Sequence, residues 1–118
     1  MDFNQLFRER TKQFFIAVIR SLSPLPYSDD LPVIRKQIIR SSTSVAANYR
    51  AVCRARSEKE KFAKIGIVVE ETDETQFWLE LIEELEYLSP EKIFPLKQEC
   101  DELVKVMTFY KFKLSQNI

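Results

Sequence analysis

A chain of 118 residues makes one domain, spanning 1–118, because two separate cores would each be too small to bury enough surface. With 45% apolar residues, 31% charged residues, one glycine and five prolines, it is neither a disordered chain nor a turn-rich sheet protein. Eighteen Lys and Arg balance eighteen Asp and Glu, which excludes a uniformly basic nucleic-acid binder, and the lack of histidine removes His-based acid/base chemistry, catalytic triads and His-containing metal sites.

Near the N-terminus Phe3, Leu6, Phe7, Phe14, Phe15, Val18, Ile19 and Leu22 recur at steps of three and four, which predicts a first helix over about residues 4–22. The opening MDFNQLFRER carries charges where an export signal needs an apolar run, so a cytoplasmic location is expected. Cys53 and Cys100 then stay reduced and serve as small packing residues. Ser23 to Asp30, with two prolines, reads as a connection. Pro32 suits a first helical turn with Asp30 as its cap, and the second helix runs to about Ala55. Its seam reads Ile34, Ile38, Ser41, Val45, Asn48, Val52.

Ser57 and Glu60 form a capping-box pattern that opens a third helix, so the chain either reverses tightly near Arg56 or continues through a kink. In that helix Phe62, Ile65 and Val69 form one stripe that steps on to polar Thr72 and Gln76. Trp78, Leu81, Ile82, Leu85 and Leu88 form another that steps back to Ile67. The two lie about half a turn apart, which is more than coiled-coil drift reconciles. With no Gly or Pro to break the helix there, the third helix is expected to be covered on both sides, once by its own bundle and once by another copy through Ile67, Trp78, Leu81, Ile82 and Leu85; the alternative is a monomer kinked near Thr72 whose Trp78 covers the bundle end. After a Ser89-Pro90 break and Pro95, the run Ile93, Leu96, Cys100, Leu103, Met107, Tyr110, Leu114 predicts a fourth helix. Four helices of about 19 to 30 residues with short connections predict an all-α, up-down-up-down antiparallel four-helix bundle.

The zero net charge is the sum of two opposed regions. Residues 35–64 hold nine cations and two acids, whereas residues 70–102 hold twelve acids and two lysines. Arg35, Lys36, Arg40, Arg50 and Arg54 mark a basic surface on the second helix. Two uses fit: a phosphate-tracking face for RNA or DNA, or a stripe that pairs with acids of the third helix within or between copies. Ser41, Asn48 and Asp73 are expected as buried polar residues that set helix register. Glu70, Asp73 and Glu74 share a helix face, but a hard cation needs more converging oxygens. No metal, cofactor, small-molecule substrate, membrane segment or enzymatic activity is expected.

The stretch Arg40-Ser41-Ser42-Thr43-Ser44-Val45-Ala46-Ala47-Asn48-Tyr49-Arg50, followed by Ala55-Arg56-Ser57, Phe62-Ala63-Lys64 and Glu70 through Ile82, resembles the bacterial four-helix-bundle proteins first found in intervening sequences of large-subunit (23S) ribosomal RNA genes. The resemblance implies a ring-like homopentamer with no catalytic set, acting as an assembly or adaptor module. The related accessory variability determinant of diversity-generating retroelements implies an alternative role, as a nucleic-acid-binding accessory protein using the basic stripe. The chain departs from that branch in its neutral charge. It also has Asn48-Tyr49-Arg50-Ala51-Val52 where other members carry Asn-Ile-Ala-Glu-Gly.

Overall fold

The computed structural model describes all 118 residues and shows four helices joined by short connections: α1 (Phe3–Leu22), α2 (Leu31–Cys53), α3 (Glu58–Glu84) and α4 (Pro90–Ser115). Each packs antiparallel on the next, giving a rod of 47 × 25 × 19 Å. The expected all-α antiparallel bundle is what forms. The choice left open at Arg56 resolves as a tight reversal, since α2 and α3 form the most extensive helix pair. The seam between α1 and α4 is the sparsest of the neighbouring pairs, and the Cα atoms of α1 and α3 stay more than 8 Å apart across the diagonal. No helix is long and apolar enough to cross a membrane.

Local chemistry explains the ends. Asp2 and Gln5 cap α1 reciprocally, at 2.8 and 3.1 Å. At α2 the expected cap Asp30 makes no side-chain bond; Ser28 Oγ instead accepts from the Leu31 amide at 3.2 Å. Ser57 Oγ accepts from the Glu60 amide at 3.0 Å as expected, but the Glu60 carboxylate takes the Arg56 amide instead of closing the box on Ser57. Pro95, expected in the break before α4, lies inside that helix, where it removes the donor for the Glu91 carbonyl.

α3 stops at Glu84, short of Leu88, because Glu86 turns left-handed at φ 60°. The Glu86 amide bonds the Glu83 carbonyl and the Tyr87 amide bonds the Ile82 carbonyl, the bond pair of a Schellman ending in which glycine would normally hold the left-handed position. The one glycine, Gly66, sits within α3, where an added Cβ would meet only the Lys111 side chain at 3.8 Å. Glu86→Gly and Gly66→Ala should therefore each stabilise the protein by about 0.5–1 kcal/mol, read as a higher urea midpoint at unchanged slope.

Candidate functional site

α3 carries the most information because it presents two apolar lines. Its inner line is continuous: Ile65, Val68, Thr72, Thr75, Leu79 and Ile82 are all fully buried. The apparent loss of this stripe at mid-helix is corrected by the two threonines. Thr72 donates its hydroxyl to the Val68 carbonyl at 2.6 Å, and the Thr75 hydroxyl lies 2.8 Å from both the Glu71 carbonyl and Ser41 Oγ. With their protons placed, their methyl groups fill the core like those of valine.

The second line faces out on the side of α2 and reads Ile67, Glu71, Glu74, Trp78, Leu81, Leu85. Ile67 and Leu85 are 37% and 53% exposed, while Trp78 and Leu81 are half-buried. Four of the five residues expected at a subunit interface thus share one accessible line. Ile82 does not: it is fully buried within its own protomer, three residues past Leu79 on the inner line, where a second copy cannot reach it. Phe77, which the sequence reading left out, is 50% exposed and packs edge-on against Trp78 with ring centroids 4.9 Å apart.

The centre of this line is electrostatic. Arg40 of α2 bonds Glu71 at 2.8 Å and also Glu74, and the Trp78 indole donates to Glu74 at 3.0 Å. The indole bond, followed by the Arg40 guanidinium, holds the Glu74 carboxyl below its ordinary value. The stabilisation this gives is in place at neutral pH and is lost as pH falls below about 4.5 and through the lowered value, because the unfolded chain takes up the proton first. Glu74→Gln should flatten the acid limb of a stability–pH profile and remove an acid-dependent change in Trp78 fluorescence.

The five expected basic residues separate into three environments. Arg35 is half-buried, and its guanidinium donates to the Leu22 carbonyl at 3.0 Å, tying down the end of α1. Arg40 is held by the two glutamates. Lys36, Arg50 and Arg54 are exposed and in no ion pair. Arg50 and Arg54 line a groove of about 500 Å³ between α1 and α2, opposite Arg8 and Lys12. Its floor is Phe15, Ala46 and Ala47, and Glu9 is the one acid among the lining residues. Arg8 and Lys12 are missing from the sequence reading because a charge run on α2 says nothing about which side of α1 it faces.

Of the three polar residues expected at buried register positions, Ser41 is buried and meets Thr75 across the α2/α3 contact. Asn48 is half-buried and bonds Ser44 on its own helix at 2.9 Å, so it sets no register between helices. Asp73 is exposed, one residue past buried Thr72 and so swung out of the core by the helical turn.

A second opening, of about 750 Å³, lies on the α1/α4 seam, where Phe3, Val106, Phe109, Tyr110 and Leu114 share the lining with Asn4, Lys105, Lys113 and Asn117. Phe109 and neighbouring Phe112 are each 60% exposed.

The sequence profile of the 23S rRNA-intervening sequence protein family matches residues 5–109. A crystal structure of a protein with unknown function from the S23 ribosomal protein family of Bacteroides thetaiotaomicron superposes with a TM-score of 0.80 at 26% identity, covering 92% of this chain and 96% of that one. No curated protein matches.

Proposed function

This chain belongs to the 23S rRNA-intervening sequence protein family, and we propose that it works by self-association, as a non-enzymatic homo-oligomeric bundle, a pentamer, that serves as an assembly or adaptor module. The observation that carries this reading is the accessible line of Ile67, Trp78, Leu81 and Leu85 along α3, extended sideways by Phe77. Phe77, Trp78, Leu81 and Leu85 make an apolar patch on the C-terminal half of α3, separated from Ile67 by the Arg40–Glu71–Glu74 cluster, and leave area in water that a second copy removes. The aromatic seam between α1 and α4 adds further uncovered area. A non-enzymatic role is supported by what lines the grooves. The α1/α2 groove holds four cations, Phe15, two alanines, Thr43, whose hydroxyl is committed to the Ile39 carbonyl, and Glu9, which accepts from Gln13 on its own helix, so the groove's hydroxyl and its carboxylate are not bonded to each other.

Light scattering at about 10 µM tests the reading. A mass near five times 14.0 kDa is the expected result, and a species of 14.0 kDa overturns it.

A further inference from the structure

We propose that the α1/α2 groove of one copy receives the acidic outer ridge of α3 from the next, so that copies join head to tail. This rests on the self-association reading and adds a charged contact beside the apolar line of Trp78, Leu81 and Leu85 that carries it. The ridge is Glu70, Asp73, Phe77, Glu80 and Glu84, at steps of three and four on the side of α3 turned away from the core, and all five are exposed. Its four acids are in no ion pair. The groove offers the complement: Arg8 and Lys12 one turn apart on α1 face Arg50 and Arg54 one turn apart on α2, likewise unpaired, with an apolar floor of Phe15, Ala46 and Ala47.

The spacing matches. Ala47 lies three residues before Arg50, as Phe77 lies three before Glu80, so a ridge seated with its acids among the four cations brings Phe77 onto the alanine floor. The ridge spans about 21 Å and the groove wall from Thr43 to Arg54 about 16 Å at 1.5 Å per residue. A protomer cannot make this contact with itself, because α1 and α3 stand on opposite corners of the bundle and the ridge lies on the side of α3 turned away from the core. Two different faces in contact make a heterologous interface, the kind that closes into a ring when each step rotates by a fixed angle. Glu9 in the groove and the balanced net charge favour a protein helix bearing both acids and an aromatic over a continuous run of phosphates.

Charge exchange tests the pairing. Arg8→Glu/Arg50→Glu/Arg54→Glu and, separately, Asp73→Lys/Glu80→Lys/Glu84→Lys should each weaken association at least tenfold by light scattering, with helical circular dichroism unchanged because every substituted side chain is exposed. A chain carrying all six changes should regain oligomeric mass, and wild-type association should weaken between 50 and 500 mM salt. If the wild type assembles and both triple variants keep its mass, the pairing is wrong while self-association stands. A wild type that stays at protomer mass removes the underlying reading as well. If the groove variant keeps the wild-type mass but loses a wild-type affinity for duplex RNA, the groove serves nucleic acid and the proposal is overturned.

Discussion

Ile82→Ala is expected to destabilise the protomer by about 2–5 kcal/mol, the range for emptying a fully buried aliphatic position, whereas Leu85→Ala one turn later should cost under about 1 kcal/mol in the isolated protomer and act on association. The two side chains are chemically alike and three residues apart. Their surroundings differ: Ile82 is completely enclosed by the bundle, and Leu85 is 53% exposed at the C-cap of α3. Against a typical total of about 5–15 kcal/mol, the first loss is a large fraction of the fold. Urea unfolding at two protein concentrations separates the cases. Stability coupled to assembly rises with protomer concentration, so the Leu85→Ala deficit should grow as concentration rises and shrink on dilution. The Ile82→Ala deficit should persist at every dilution. Equal losses at all concentrations would place Leu85 in the protomer's own packing and remove it from the interface.

The fold was legible where side chains are unambiguous about water. In α4 the predicted run Ile93, Leu96, Cys100, Leu103, Met107 and Leu114 is the buried set, with Tyr110 half-buried at its edge. α3 was harder because its core face passes through Thr72 and Thr75, which count as polar until their hydroxyls are seen to bond the preceding turn, while Val69, Phe77 and Trp78 place apolar groups off that face. The end of α3 gave no sign of itself either, since a glutamate occupies the left-handed position that glycine ordinarily announces. The inner stripe of α3 therefore does not jump faces, and the outer apolar line is additional to it.

Charge was legible as a distribution and illegible as pairings. The basic and acidic halves are plain in the chain, and contact between them within one protomer is realised by Arg40 with Glu71 and Glu74. The acids of α4 look elsewhere: Glu99 and Glu102 hold Arg10 of α1, at 2.6 and 3.1 Å. Partner choice depends on helix rotation, which a one-dimensional pattern fixes only to within about 100°, the angle between consecutive residues. These pairs are also partly exposed, so each contributes little alone and their value lies in orienting helices. What remains is an excess of cations on the α1/α2 side and of acids on the outer side of α3, a dipolar protomer whose two charged faces cannot meet within one chain.

The rotation of α2 decides where that basic face points, and Tyr49→Ala tests it. The expected loss is about 3–5 kcal/mol, as for removal of a large buried aromatic, whereas Asn48→Ala should cost no more than about 1 kcal/mol. The sequence seam runs through Asn48, but in the structure Tyr49 is the enclosed residue, with its ring edge-on to Phe7 at 6.5 Å and its hydroxyl donating to Asn4 Oδ1 at 3.3 Å. Burial pushes the Tyr49 hydroxyl far above its ordinary value, so it stays a proton donor across the working pH range. Tyr49→Phe should therefore retain most of the stability, losing about 0.5–1.5 kcal/mol for the single bond to Asn4. Should Asn48→Ala prove the costlier change in urea unfolding, α2 is turned by one residue from the orientation described. Arg50 and Arg54 would turn with it, and the groove they form with Arg8 and Lys12 would no longer exist to receive a neighbour.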